Sequence, residues 1–241
     1  MISWRFARPK GGSPRDYDLS LTIAPILNMY QLTRPAWAPP LPPPNPSLPP
    51  IPFPNSYWAT STLLASEYPG AQAKEIALAR LTAVLKTGIR DFIDLTHPNE
   101  LVPYEPLLPA AADQVGLDTE QKALVRYQRF TIEDGGVPKE DTLERVLAAI
   151  QESQGAGRKA LVHCWGGIGR TGVIVGSWLV RSGTVVDGEA ALVYLAEKWK
   201  GVEKNWRSPT TPETPVQFQY LRTKFPRCHS NNDVSESMST S

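Results

Sequence analysis

A cysteine and an arginine enclose a glycine-rich loop within the segment His163-Cys164-Trp165-Gly166-Gly167-Ile168-Gly169-Arg170-Thr171. The apolar run 160–162 before the loop predicts a strand, and the apolar stretch 173–180 after it predicts a helix. In such a strand-loop-helix unit the backbone N–H groups point inward and, with the helix N-terminus, form a cradle for a phosphate-sized dianion. The same field favours the nucleophilic thiolate of Cys164. The planar guanidinium of Arg170 can bind two phosphate oxygens at once.

This pattern resembles the signature of the cysteine-dependent protein tyrosine phosphatase superfamily, which is His-Cys, five residues, Arg, then Ser or Thr. The resemblance covers roughly residues 56–226 and implies that Cys164 attacks phosphorus while Arg170 binds the phosphate. It further implies that Thr171 helps the thiolate to leave and that His163 orients the loop and tunes the thiol. The predicted substrate-binding residues of the loop are Trp165, Gly166, Gly167, Ile168 and Gly169. The alternative for Cys164 is a buried structural cysteine at a strand end.

Phosphoester cleavage also needs a proton for the leaving oxygen, and the resemblance implies an aspartate on a mobile loop before the cysteine. The segment 130–138 follows a strand-like run and contains paired glycines and a proline, as a hinged loop requires. Asp134 lies 30 residues before Cys164 and is the predicted general acid. An ordinary turn aspartate is one alternative, because Asp-Gly is a frequent turn signal. The neighbouring Glu133 is another, although strand alternation should turn the two side chains to different sides.

The resemblance also implies a residue that positions the hydrolytic water when the phosphocysteine breaks down. The segment 208–217 is similar to the family's loop that presents a glutamine there, and Gln217 is the matching residue. A helix start with prolines and a surface glutamine explains the same letters, so both interpretations remain open.

Composition excludes several other classes of function. The chain has 241 residues, 41% of them hydrophobic, and a formal net charge of +1, which allows a sizeable core and indicates no nucleic-acid partner. Its two cysteines, Cys164 and Cys228, argue against a disulfide framework and favour a reducing, cytoplasmic compartment. The three histidines show no ligand spacing, so neither a metal nor a cofactor is expected. No apolar run has transmembrane length, and no secretory signal is visible.

Composition along the chain predicts four regions. Residues 1–34 form an N-terminal extension whose apolar part should pack on the catalytic domain or on a partner. Residues 35–55 form a linker, because 11 of the 24 prolines lie there, which favours a polyproline II tether. A partner with a proline-binding groove could also recognise this segment. Residues 56–226 form the phosphatase catalytic domain, and residues 227–241 form a disordered tail.

Between residues 56 and 226 the pattern alternates between strands and helices. Residues 89–95 predict a strand. Apolar side chains at helical spacing predict helices at 73–86, 139–151 and 187–200. The chain is therefore predicted to have an α/β fold, with a central, mostly parallel sheet flanked by helices, as in protein tyrosine phosphatases. Ligands gather at the carboxyl ends of such strands, so His97 in the loop 96–100 either lines the substrate entrance or has no role.

The resemblance implies a phosphatase of the compact dual-specificity type. Its expected substrate is a phosphorylated protein, with phosphotyrosine ranked before phosphoserine or phosphothreonine. The loop interior has no lysine of the kind that phosphoinositide phosphatases of the family use, and the Asn-Arg-Tyr motif of large tyrosine-specific members is absent from the sequence. Trp165 either packs or stacks on a phosphotyrosine ring. The alternatives are an inositol phosphate or phosphoinositide substrate, a non-catalytic phosphate-binding module, and a rhodanese-like sulfur transferase. The last leaves Asp134 and Thr171 without roles.

Overall fold

The structure is a computed structural model that describes residues 34–43 and 45–227. The strands are β1 (Ser56–Trp58), β2 (Leu63–Ser66), β3 (Ile89–Asp94), β4 (Arg126–Arg129) and β5 (Lys159–His163). The helices are α1 (Lys74–Lys86), α2 (Leu108–Val115), α3 (Thr119–Ala123), α4 (Glu140–Gly155), α5 (Gly169–Arg181), α6 (Gly188–Trp199) and α7 (Pro215–Lys224). Short 3₁₀ helices lie at Glu105–Leu107 and Glu203–Trp206. The apolar N-terminal stretch, Cys228 and the predicted tail beyond it lie outside the described residues.

The strands form one sheet in the order β1-β2-β5-β3-β4, in which β1 is antiparallel to β2 and the other neighbours are parallel. The predicted α/β fold with a mostly parallel sheet is confirmed. Strand β5 lies at the centre, and its last residue, His163, pairs with Ser66 of β2 and Asp94 of β3. The carboxyl ends of three strands therefore meet at one edge of the sheet, where ligands of such folds gather.

Helices cover both faces of the sheet, and the alternation of side chains along β5 sorts them. Ala160 and Val162 face one cluster of buried residues, to which α4, α5 and α6 contribute. Leu161 faces the other cluster, to which α1 and α2 contribute. Because β5 is covered on both faces, its sequence is continuously apolar rather than alternating. Each fully buried aliphatic side chain contributes about 1.5–3 kcal/mol to stability, so the two clusters fix β5 and the residues that follow it.

The predicted helices and the predicted strand are present with small shifts of their ends. The strand at 89–94 and the helices α1 and α6 end within one residue of the predicted positions. Helix α4 runs four residues further than predicted, to Gly155. Its last turn is stabilised by the buried Ser153, whose hydroxyl donates to Asp91 on β3 at 2.8 Å. Within the described part of the chain, no helix has the length and apolarity needed to cross a membrane.

The described part of the proline-rich segment lies against this unit. Arg34 donates to the carbonyl oxygen of Glu203 at 2.9 Å, and the rings of Trp37 and Trp206 meet edge to face with centroids 5.8 Å apart. Further along, Phe53 is buried in the cluster on the α1 face. The segment is therefore held on the domain, while the bounds that composition predicts for the four regions stay predictions.

Candidate active site

The site lies where β5 ends and α5 begins. The predicted strand-loop-helix unit is present: β5 delivers Cys164 into the loop 164–170, called the signature loop below, and α5 starts at Gly169. The residue Cys164 is 3% exposed, and the side chain of Arg170 is 1% exposed. The loop thus places a thiol and a cation at the N-terminus of a 13-residue helix, whose positive end favours an anion.

Several carbonyl groups of the signature loop are bound from outside it. Tyr68 N donates to the Trp165 oxygen at 2.9 Å, and Lys204 Nζ donates to the Gly166 oxygen at 2.7 Å. Thr211 Oγ1 donates to the Ile168 oxygen at 2.8 Å. In a planar trans peptide, the C=O group and the N–H group that follows it point in opposite directions. The N–H groups of Gly166, Gly167 and Gly169 therefore point away from these donors. This direction is the one that the predicted cradle requires, and the binding of a phosphate there stays a prediction.

The glycines of the loop are required by close contacts. Gly167 has φ +70°, and a Cβ there would lie 2.5 Å from the carbonyl oxygen of Ser66. A Cβ at Gly169 would lie 2.8 Å from the side-chain amide of Gln217. Both positions need a residue without a side chain, because the loop folds tightly over β2 and against α7.

Arg170 is fixed by an acidic residue from another loop. Its Nη1 and Nη2 atoms donate to Glu100 Oε2 and Oε1 at 2.8 and 2.6 Å, and Nη1 also donates to the Ile132 carbonyl at 3.3 Å. Burial by itself lowers the pKa of Arg170, but the hydrogen bonds with Glu100 and the charge of Cys164 outweigh burial and raise that pKa above its usual range. The hydrogen bonds from Arg170 hold the pKa of Glu100 below its usual range. The buried Nε of Arg170 has no partner among the described residues, so this donor is available to a bound anion.

His163 forms a buried chain of hydrogen bonds behind the thiol. Its Nδ1 lies 3.2 Å from the carbonyl oxygen of Cys164, and its Nε2 lies 2.7 Å from the hydroxyl of Tyr104. A carbonyl oxygen only accepts, so Nδ1 carries the proton and Nε2 accepts from Tyr104. Burial lowers the pKa of His163 despite Asp94, whose Oδ1 lies 4.0 Å away, and keeps the ring neutral. These contacts support the predicted orienting role of His163.

Thr171 follows Arg170 in the first turn of α5 and is fully buried. Its hydroxyl oxygen has no hydrogen-bond partner in the described part of the chain. A buried hydroxyl normally has a partner, so a hydroxyl left without one in the described structure has a donor to spare for a bound group. This arrangement is consistent with the role that the resemblance implies for Thr171.

The loop 131–139, called the acid loop below, reaches the signature loop. Asp134 Oδ1 lies 2.9 Å from Nη2 of Arg170, and the Asp134 side chain is 72% exposed. Glu133 Oε1 lies instead 3.2 Å from Nε2 of His97. The two carboxylates therefore take different partners, and the structure brings Asp134, not Glu133, to Arg170. His97 contacts the acid loop from the loop that follows β3.

Gln217 is buried, so the interpretation as a surface glutamine is wrong. Its Oε1 accepts from the backbone N–H groups of Glu213 and Thr214 at 3.0 and 3.1 Å, which caps α7. Its Nε2 donates to the Gly136 carbonyl in the acid loop at 2.8 Å. The Thr214 hydroxyl donates to the Gly135 carbonyl at 3.0 Å. Gln217 thus lies between the two loops, and its role in positioning water stays a prediction.

Trp165 is 60% exposed, so its indole does not pack into the core. It is the large apolar side chain that the signature loop presents to solvent. An exposed indole offers a flat apolar surface on which an aromatic ring can stack.

Three residues that sequence reasoning did not select complete the site, namely Glu100, Tyr104 and Lys204. The sequence predicts that the loop 96–100 follows a strand, but its pattern indicates His97 rather than Glu100 as a site residue. Glu100 is an acidic residue at the carboxyl end of a strand, where the signature also places Arg170. This combination of charges is the signal that could have predicted Glu100. Tyr104 and Lys204 contact the signature segment across 59 and 38 positions, and the sequence carries no local signal for either.

Comparison with known proteins agrees with this geometry. Residues 69–184 match the model of a family described as Tc-R-P, polymorphic toxin system, DSP-PTPase phosphatase. Over 148 residues the chain is 27% identical to mouse (Mus musculus) protein tyrosine phosphatase domain-containing protein 1, an alignment that covers 59% of this chain and 19% of that protein. The bovine (Bos taurus) protein of the same name is 25% identical over 144 residues, covering 59% and 18%. The chain therefore spans about a fifth of the length of these relatives.

Solved structures share the fold. The active form of Tk-PTP superposes with a TM-score of 0.54 at 22% identity, covering 71% of this chain and 96% of that one. PTPMT1 in complex with PI(5)P gives a TM-score of 0.51 at 18% identity, covering 70% and 93%. The PTP-2 phosphatase of Cydia pomonella gives 0.50 at 16% identity, covering 75% and 96%. These structures show the fold. The family match and the signature show that the chain is similar to the cysteine-dependent protein tyrosine phosphatase superfamily, with a compact dual-specificity-like domain.

Proposed function

We propose that the protein hydrolyses phosphomonoesters through a phosphocysteine intermediate, as a protein tyrosine or dual-specificity phosphatase. The observation that carries the proposal is the signature loop, in which outward carbonyl groups, inward N–H groups and a fixed guanidinium surround the thiol of Cys164. These groups match the charge of a phosphate dianion and of the transition state derived from it.

In the first step the Cys164 thiolate attacks phosphorus, so that an S–P bond forms while the bond from phosphorus to the ester oxygen breaks. Arg170 and the loop N–H groups bind the non-bridging oxygens throughout. The leaving oxygen takes a proton from Asp134, which the acid loop holds beside Arg170. The neutral His163 keeps the Cys164 peptide in place, because it donates to the carbonyl of that residue.

In the second step water attacks phosphorus, the S–P bond breaks, and inorganic phosphate is released. The Asp134 carboxylate accepts the proton of that water, which restores the acid. The departing thiolate accepts a hydrogen bond from the buried Thr171 hydroxyl, which is otherwise without a partner in the described structure. Gln217, buried between the two loops, is the residue proposed to orient the water.

The proposed substrate is a phosphorylated protein, with phosphotyrosine before phosphoserine or phosphothreonine. None of the five residues between Cys164 and Arg170 is cationic, so the loop offers no charge for a second phosphate. The exposed Trp165 indole can instead stack on an aromatic ring that carries the phosphate. Because the reaction needs a reduced thiol, we place the protein in a reducing, cytoplasmic compartment. The exposed residues 39–43, four prolines and Leu41, suit a partner with a proline-binding groove.

The matched cysteine variants test the proposal. Cys164→Ser should abolish release of phosphate from aryl phosphates, whereas Cys228→Ser should retain native turnover. Release of sulfide from thiosulfate in the presence of a thiol reductant distinguishes a sulfur transferase. Phosphotyrosine, phosphoserine and inositol phosphate substrates rank the substrate classes. Native turnover in Cys164→Ser, or faster turnover of thiosulfate than of aryl phosphates, would refute the proposed reaction.

A further inference from the structure

A buried lysine binds the backbone of the signature loop from outside the loop. Lys204 lies in the 3₁₀ helix Glu203–Trp206, and its side chain is 6% exposed. Its Nζ donates to the Gly166 carbonyl oxygen and to Glu67 Oε2, both at 2.7 Å. A lysine is almost never buried unless it is paired, so this arrangement has a specific cause.

We propose that Lys204 is a positioning residue for phosphate binding, because it fixes the Gly166–Gly167 peptide with its N–H group facing the anion. The inference rests on the proposed function and adds a residue that lies outside the signature. The charge of Lys204 does not touch the substrate. It acts on the direction of one backbone donor.

This peptide needs such a restraint more than its neighbours do. It joins two glycines, and glycine adopts positive and negative φ about equally well, so the peptide can rotate at low cost. A rotated peptide would aim its carbonyl oxygen at the dianion and withdraw one N–H donor. Lys204 opposes this rotation, because the lysine would lose a charge-assisted hydrogen bond in a place where water cannot replace it.

The lysine is itself held from several sides. Its backbone N–H donates to Asn55 Oδ1 at 3.1 Å, and its carboxylate partner Glu67 also binds Arg80 at 2.8 Å. The neighbouring loop carbonyls rely on other donors, a backbone N–H from Tyr68 and the hydroxyl of Thr211. Lys204 is therefore the charged donor among these outer contacts of the loop.

The test compares three variants of the full chain, with inorganic phosphate as the probe. Lys204→Met keeps the length of the side chain and removes its donors. Lys200→Met is the matched control, because Lys200 is exposed four positions earlier and pairs with Glu197. Arg170→Lys tests the loop itself. For each protein we measure the thermal midpoint and the inhibition constant of phosphate, with an aryl phosphate as substrate. Where turnover is lost, a titration with phosphate gives its dissociation constant instead.

We expect Lys204→Met to bind phosphate about tenfold more weakly, the loss of one hydrogen bond to a charged group, and to lose phosphate-dependent thermal stabilisation in proportion. In the native protein the amide resonance of Gly167 should move when phosphate saturates the site, and this measurement decides if Lys204→Met does not fold. Native phosphate affinity in a folded Lys204→Met, an equal loss in Lys200→Met, or an unmoved Gly167 amide would overturn the inference. Unchanged phosphate binding in Arg170→Lys would instead refute the proposed function.

Discussion

Replacement of Glu100 by glutamine tests how the anion-binding arginine is held. Glu100 accepts two hydrogen bonds from Arg170, at 2.8 and 2.6 Å, while Asp134 lies 2.9 Å from the same guanidinium. A glutamine keeps one acceptor oxygen but loses the charge and the second acceptor. The guanidinium should then turn toward Asp134, so that the arginine and the general acid are both misplaced for the substrate.

The size of the effect follows from these bonds. One charge-assisted hydrogen bond to the nearly fully buried Arg170 is lost, which costs about 1.5–3 kcal/mol. Because about 1.4 kcal/mol corresponds to a factor of ten, kcat/KM should fall roughly ten- to a hundredfold. The substitution removes one hydrogen bond and no apolar contact, so the protein should still unfold cooperatively.

The assay measures kcat/KM with an aryl phosphate and the inhibition constant of inorganic phosphate, with a thermal melt to exclude unfolding. Glu105→Gln is the matched control, because Glu105 is an exposed glutamate on the same connection. It should remain within about twofold of the native protein, as surface substitutions usually do. A folded Glu100→Gln protein with native kcat/KM would refute the argument that Glu100 sets the position of Arg170.

Three further predictions concern the acid, its loop and the buried histidine. Asp134→Asn should slow the hydrolysis of phenyl phosphate by on the order of 10²–10⁴-fold and that of nitrophenyl phosphate far less. The control Glu133→Gln should keep near-native rates on both substrates. Equal losses on both substrates in Asp134→Asn would place the acid elsewhere. Thr214→Val, which removes a donor to the acid loop, should lower kcat for phenyl phosphate about threefold to tenfold, whereas the exposed Thr223→Val should not. Burial lowers the pKa of His163, so the unfolded chain binds that proton more readily and the free energy of unfolding should fall as pH drops below the ordinary value of 6.5. Urea melts at pH 7 and pH 5.5 measure this loss, at most about 1.4 kcal/mol per pH unit, and His163→Asn should reduce it.

Much of the site could be predicted because its chemistry is contiguous in the sequence. Cys164, Arg170 and Thr171 belong to one strand-loop-helix unit. The apolar stretch after the glycine-rich loop predicts its helix, α5. The acid loop was also predictable, since Asp134 stands in a glycine- and proline-rich turn between a strand and a helix. The apolar β5 and the amphipathic helices determined the α/β class for the same reason, because their periodicity is local.

The residues that hold these groups could not be predicted, because they come from distant parts of the chain. Glu100 is 70 positions from Arg170, and nothing local shows that the two side chains meet. A lysine such as Lys204 is usually solvated, so its burial depends on Glu67 and on the loop carbonyl that it binds. The pattern around Gln217 indicated the correct segment, but its burial and its bond to the acid loop depend on packing.

Detection of the covalent intermediate tests the central claim most directly. The native protein is mixed with excess aryl phosphate, quenched within the first turnovers and examined by mass spectrometry of its peptides. The proposed reaction predicts one phosphoryl group on Cys164, present in Cys228→Ser, absent in Cys164→Ser and longer-lived in Gln217→Ala. Turnover by the native protein with no phosphoryl group on Cys164 at any quench time, or with the group on another residue, would contradict the account.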